Sequence, residues 1–424
     1  MSRISPASTS RRAGRAASVI LLLVGVGLFA STRAQCAAAQ SAVIGFNPRV
    51  DFATATQPFT VKIGDLNGDG KPDLVVANIS SSMLSVLLGD GAGGFGPKSD
   101  RDIGNGSIYV AIGDLNGDGK PDLAVTNYYA SSVTVLLGNG DGTFGLQHDF
   151  STGGNPWGVT IGDLNGDGKP DMVVCEEQRG TLSVFLGDGL GSFGAPAILT
   201  VGSAPIAVEI RDFNGDGKPD LAVLLYGSNT ISVLPGNGDG TFGAPAGYGT
   251  GDRPESEAIA DLNGDGKLDL AVSNGVSNTL SVLLGNGDGT FGAKQDYPTG
   301  TYPRVVAIAD LDGDAKPDLA VVNYVSNSVS VLPGRGDGSF DPRSDFVTGA
   351  NPASVAIMDL NGDGRPDLAV ANQGSNTVSA LFNANGLGTS TALSSSPNPS
   401  VFGQTVTLTA SVARSSIVTS RLRT

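Results

Sequence analysis

The 424-residue chain carries 26 basic and 41 acidic residues, a formal charge of −15, and 62 glycines. That balance excludes nucleic acid as a partner, since a phosphate backbone asks for a cationic surface, and two cysteines exclude a disulfide framework. The length suits two to four ordinary domains, or one repeat array that fills it as a single unit.

Residues 1 to 34 read as a secretory signal. Arg11, Arg12 and Arg15 are followed by an apolar core from Val19 to Phe29, too short to span a bilayer comfortably, and by Thr32-Arg33-Ala34 as a small-x-small cleavage site. Cleavage after Ala39 is the alternative and would remove Cys36. Arg33 stands where a lipid-modified Cys36 would want an aliphatic residue, which disfavours a lipoprotein. The mature chain is expected outside the cell, secreted or at its surface, without a stable membrane span. Loss of Arg3, Arg11, Arg12, Arg15 and Arg33 would take its charge to −20.

From Phe46 onward a phenylalanine returns every 49 residues, at Phe95, Phe144, Phe193, Phe242, Phe291 and Phe340. Such a period marks a repeat architecture. Six of the seven follow a hairpin-forming turn such as Gly138-Asn139-Gly140-Asp141-Gly142-Thr143, and Phe46 is the exception. The first unit holds four runs of strand length, Val50 to Ala53, Thr60 to Gly64, Asp73 to Asn78 and Leu84 to Leu88. The third is apolar on both faces (Leu74, Val75, Val76, Ala77), as in a sheet packed on both sides.

Between the second and third runs lies a nine-residue acidic loop, repeated seven times at the same offset. Position 1 is Asp65, Asp114, Asp163, Asp212, Asp261, Asp310 and Asp359. Position 3 is Asn67, Asn116, Asn165, Asn214, Asn263, Asp312 and Asn361, and position 5 is Asp69, Asp118, Asp167, Asp216, Asp265, Asp314 and Asp363. Position 7 offers the backbone carbonyl of Lys71, Lys120, Lys169, Lys218, Lys267, Lys316 and Arg365; position 9 is Asp73, Asp122, Asp171, Asp220, Asp269, Asp318 and Asp367. Oxygen donors at alternate positions of a tight turn converge on one point and suit Ca²⁺, whereas the lack of nitrogen and sulfur disfavours zinc or copper. Glycines at positions 4 and 6 let the chain curl around an ion. An EF-hand would need Glu at position 12, which is valine in every copy from Val76 to Val370. The loops hold 22 of the aspartates, so up to seven Ca²⁺ would bring −20 to −6. Ala315 replaces the glycine of the sixth loop, which is therefore expected to be the weakest or most distorted site despite the extra carboxylate of Asp312.

Seven units of four strands predict an all-β, seven-bladed propeller over residues 46–388. Phe46 precedes the first loop and position 389 is Thr389, so the strand near 47–53 is expected to complete the last blade, whose other strands come from about 354 to 383. A linear solenoid is the alternative, though it would normally show distinct end caps. Phe193-Gly194-Ala195-Pro196 and Phe242-Gly243-Ala244-Pro245, with Asp-x-Asn-Gly-Asp-Gly-Lys-Pro-Asp-Leu, resemble the FG-GAP/VCBS-type repeat of integrin alpha-subunit propellers and many secreted bacterial proteins. The resemblance implies a calcium-stabilised propeller used for adhesion, for carbohydrate or protein binding, or as a module attached to another activity; a monomer is expected.

Residues 389–424 turn to Ser, Thr and Pro. Ser394 to Gln404, followed by the alternating Thr405 to Ala410, resembles the opening of a bacterial Ig-like repeat, too short to close that core alone.

An up-and-down blade puts the acidic loops and the Gly-Asn-Gly-Asp turns on one face. The opposite face carries Tyr128, Tyr129, Trp157, Glu176, Glu177, Arg179, Tyr226, Tyr302, Arg304 and Tyr324, a set able to stack on sugar rings or anchor a protein loop, against the blander reading that they fill loops and blade edges. Arg335-Gly336-Asp337 resembles an adhesion tripeptide but replaces an ordinary Asn-Gly-Asp turn. Catalysis has little to rest on: the single histidine is His148, and Glu176 and Glu177 are neighbours on a segment expected to be an extended, solvated loop, where adjacent side chains point apart. A binding or adhesion module is expected, with a glycan or an extracellular protein as partner. A spacer in a larger surface protein and a polysaccharide-active enzyme are the rivals.

Overall fold

The structure, a computed structural model, describes residues 44–385, 389–396 and 407–414. Residues 44–384 form one compact unit. The expected signal segment, Cys36, and residues 397–406 of the expected Ig-like stretch lie outside the described residues. Of that stretch the structure describes an antiparallel pair, Thr389–Ser396 with Thr407–Arg414, and no sandwich among the described residues.

The compact unit is all-β, with no helix among the described residues. Seven four-stranded antiparallel sheets follow one another along the chain. After a first strand, β1 (Val50–Ala53), blade 1 runs β2 (Pro58–Gly64), β3 (Asp73–Asn78), β4 (Met83–Leu87) and β5 (Ser99–Asp102), paired in that order from the innermost outward. The second strand of every blade is buried at all six positions, because neighbouring sheets cover both of its faces, as its two-sided apolar run predicts.

Blades meet through apolar clusters, one at each successive interface. The cluster of Leu66, Val75, Leu84, Val110, Leu123 and Val125 joins blades 1 and 2, and that of Val61, Leu74, Val76, Leu360, Ala369 and Val378 joins blade 1 to blade 7. That last contact makes the array a ring and removes the solenoid alternative. Blade 7 takes its inner strands from Pro352–Met358, Asp367–Asn372 and Thr377–Leu381, and its outermost strand is β1, with Val50 opposite Ala380 and Ala53 opposite Thr377. The bridge Phe46–Asn383 repeats Gly89–Phe95 of blade 1. The ring therefore closes with the strand that the unpaired Phe46 predicts.

Five blades share a buried polar joint. In blade 1 the Asn78 amide donates to Ser85 Oγ (3.0 Å), whose hydroxyl donates to Asp100 of the outermost strand (2.6 Å). The same joint in blade 7 uses Asn372, Ser379 and Asp51, the last supplied by β1.

Candidate functional site

Each acidic loop winds around its first aspartate. In loop 1, Asp65 Oδ1 accepts the Gly68 and Asp69 amides (2.7 and 3.1 Å) and Oδ2 accepts the Gly70 amide (2.8 Å). Asn67 and Asp69 accept the next amides but one. Gly68 and Gly70 take φ of 75° and 78°, which favours glycine. Asp73 is fully buried and joins two segments, accepting from Leu66 N (2.9 Å) within the loop and from Gly89 N (2.7 Å) at the end of β4. Burial pushes the position-9 carboxyls up, to about 6 for Asp318 and Asp367, although each takes two backbone N–H bonds.

The loops also tie one blade to the next. The position-2 carbonyl accepts the amide of a turn glycine in the following blade: Gly142 to Leu66, Gly191 to Leu115, Gly240 to Leu164, and across the closure Gly93 to Leu360. Asn383 Nδ2 takes this place for Leu311 (2.7 Å).

The donor set fits a hard cation. In loop 6 one oxygen each of Asp310, Asp312 and Asp314 lie within 4.8 Å of one another, a spread compatible with oxygen ligands at about 2.3–2.6 Å from one Ca²⁺. Ala315 adopts φ of 65° and donates to Asp310 Oδ2 at 2.9 Å, as Gly70 does to Asp65. The sixth loop thus keeps its neighbours' backbone course while holding a side chain in the left-handed region. Ala315→Gly is expected to stabilise the fold by about 1 kcal/mol, read as a rise of about 1–2 °C in Tm. An unchanged or lower Tm would show that the loop holds no such strain.

On the opposite face, the starts of six innermost strands bring Phe59, Trp157, Ile206, Glu255, Arg304 and Ala353 together around one small cavity at the mouth of the central channel, and the equivalent Ile108 of blade 2 is buried. Phe59 and Tyr128 meet Trp157 edge-on, with centroids 5.8 and 5.6 Å away, and Tyr129 abuts Tyr128. The Arg304 guanidinium lies over Phe59 (4.7 Å) and Tyr324 (4.9 Å) and pairs with Glu255 at 3.7 Å. Tyr302 donates to Glu255 (2.9 Å) and Arg253 covers Tyr226 (4.9 Å). Tyr128 donates to Glu177 (2.7 Å), and burial, with Glu177 beside it, pushes its hydroxyl up to about 12. Burial likewise raises the Glu255 carboxyl, with Arg304 opposing.

The structure therefore gathers Tyr128, Tyr129, Trp157, Glu177, Tyr226, Tyr302, Arg304 and Tyr324 on one face. Phe59, Arg253 and Glu255 complete the belt without standing out in the sequence; the signal for Phe59 and Glu255 is a column of unlike residues recurring every 49 positions just after a proline or serine, and Arg253 stands just before that proline.

Glu176 is a correction. It is fully buried at the end of the strand Asp171–Glu176, not in a solvated loop, because it occupies the place of Asn78 in blade 1. Its carboxylate accepts from Gly153 N, Thr181 and Ser183. The outermost strand of that blade has Ile198 where Asp100 stands in blade 1, so the joint keeps a carboxyl group but moves it inward by two strands. His148 is exposed on the outermost strand of blade 2. Arg335 is held by Asp341 (2.6 Å) and Asp337 by Ser339, as parts of one turn. Cys175 is buried with a free thiol.

Six overlapping matches to the FG-GAP-like repeat profile run from residues 65–125 to 310–370, and a match to the FG-GAP repeat covers 351–393. No curated protein matches the chain. Among solved structures, the chain is similar to BBS1N, crystallised in complex with ARL6DN and soaked with lead (13 % identity, 79 % of this chain and 96 % of that one, TM-score 0.55). It is also similar to a catalytically inactive variant of virginiamycin B lyase from Staphylococcus aureus, with quinupristin (15 %, 80 % and 99 %, 0.56). A third is an Agrocybe aegerita lectin that recognises non-reducing terminal N-acetylglucosamine (20 %, 76 % and 86 %, 0.51). At these identities the likeness is one of fold.

Proposed function

The chain belongs to the FG-GAP repeat family, and on that footing we propose that it is a secreted or cell-surface binding module. Calcium in the acidic loops fastens the ring, and a glycan or an extracellular protein is taken at the channel mouth on the other face. The loops' chemistry supports the first half. All their side-chain donors are oxygens, and each loop touches two blades, so an ion there stiffens the joint between them.

The observation that carries the second half is the belt around the mouth. Trp157, Phe59 and Tyr128 offer ring faces and edges beside the Glu255–Arg304 pair, the combination of flat apolar surface and fixed hydrogen-bonding groups that a sugar ring fits. A lectin and a protein bound to ARL6DN both occur among the propellers of similar shape. A catalytic reading would lean on Glu176 or His148, and the first is locked inside a blade while the second sits on an outermost strand.

A glycan array probed with the calcium-equilibrated chain tests this. Trp157→Ala and Arg304→Ala are each expected to weaken any hit at least tenfold, about 1.4 kcal/mol or more. The arginine variant, which leaves the largely buried Glu255 side chain without its cation, is also expected to melt lower, so binding is compared well below its Tm. Hits that survive both substitutions would move the ligand away from the mouth, and an array without hits would favour a protein ligand or a spacer.

A further inference from the structure

Deeper in the channel, blade 5 departs from every other blade. Val61, Val110, Val159, Val208, Val306 and Val355 share one position on the innermost strands, all buried. Blade 5 has Glu257 there. Both of its carboxylate oxygens are sealed from solvent and have no hydrogen-bond partner among the described residues. A buried carboxylate is costly unless something positive meets it.

Two other charged side chains stand nearby. Lys62 holds its ammonium over the Tyr109 ring, 5.1 Å from the centroid, and Glu209 pairs with Arg211 at 3.4 Å. Burial first, and then Glu209, push the Glu257 carboxyl up to about 8, with Lys62 opposing. Glu257 and Glu209 line one cavity of about 20 Å³ with Tyr109, Ser256, Gly158 and Ala207. That volume takes one water-sized species. The innermost strands are sheet edges, and an edge strand presents carbonyl oxygens along its free side.

We propose that Glu257, with Glu209 on the neighbouring innermost strand, binds a single hard cation of the calcium class inside the channel, separate from the seven loops. The donors on offer are all oxygens, which favours that class over zinc or copper. The ion takes the place of the proton that burial otherwise keeps on the Glu257 carboxyl, and links blades 4 and 5 at the axis of the ring.

Glu257→Val installs the residue of the other six blades, and native mass spectrometry of the calcium-equilibrated chain counts ions. One Ca²⁺ fewer per chain than in the wild type is expected, however many the loops hold, and equal counts overturn the proposal. Melting curves add a second readout. In chelator the variant is expected to melt above the wild type, having lost a buried carboxyl that has no hydrogen-bond partner among the described residues, and in millimolar calcium that gap is expected to narrow. A gap of equal size in both conditions overturns the proposal as well. If the valine variant does not fold, the ion count is made on Glu257→Gln, which keeps the side chain's shape and removes its charge, with the same two outcomes. Empty loops would instead show as a wild-type count of one, so failure of the loop reading is told apart.

Discussion

Dialysis against a calcium chelator is expected to lower the melting temperature of the chain by on the order of 10 °C. An extracellular-type site with Kd on the order of 10⁻⁴ M contributes roughly 1.4 kcal/mol in millimolar calcium, and seven such loops sum to about 10 kcal/mol. A chain of this size shifts by about 1–2 °C per kcal/mol. The structural reason lies in the loop connections. Position 9 joins each loop to the third strand of its own blade, and position 2 joins it to a turn of the next. Without the ion, three carboxylates crowd each loop, four in the sixth, and the position-7 cations meet the position-5 aspartates in exposed pairs such as Lys71–Asp69 at 3.2 Å. Exposed pairs of that kind are worth little. Differential scanning calorimetry in calcium and in chelator measures the effect, and superimposable traces would mean that the loops hold the ring together unaided.

Removal of the closing strand is expected to abolish the single cooperative transition. A chain beginning at Thr54 loses the four paired residues of β1, the Asp51–Ser379 hydrogen bond, and the packing of Ile44, Phe46 and Phe52. Backbone bonds at about 1 kcal/mol each and apolar side chains at about 2 kcal/mol each make this on the order of 10 kcal/mol, comparable to a typical domain's whole stability. The loss also leaves the strand Thr377–Leu381 as an open edge, which invites pairing with another chain. Light scattering and thermal melts against a chain beginning at Gln40 are expected to show association and a broadened, lowered transition. A monomer with an unchanged Tm would mean that blade 7 stands on three strands.

The repeat makes the scaffold readable. A 49-residue period with four strand-length runs fixes the blade, and one phenylalanine without its turn tells how the ring closes, because closure only repeats a joint already present six times. The mouth is half readable. Aromatic residues such as Trp157 and Tyr128 stand out in any sequence, but Phe59, Glu255 and Arg304 become one surface only when strands 49 residues apart face a common axis. Glu176 reads as part of a loop because its neighbour Glu177 begins a turn. The strand extends one residue further than charge alone suggests, since the blade interior supplies Thr181 and Ser183 as partners. Glu257 carries no local signal at all, for its neighbours alternate as in any innermost strand, and only the six valines of the other blades mark it.

Counting bound calcium per chain by equilibrium dialysis in millimolar calcium tests the central claim most directly. Seven ions in the loops and one in the channel give a count of eight for the wild type and seven for Glu257→Val. A wild-type count of one or none would contradict a ring fastened by calcium.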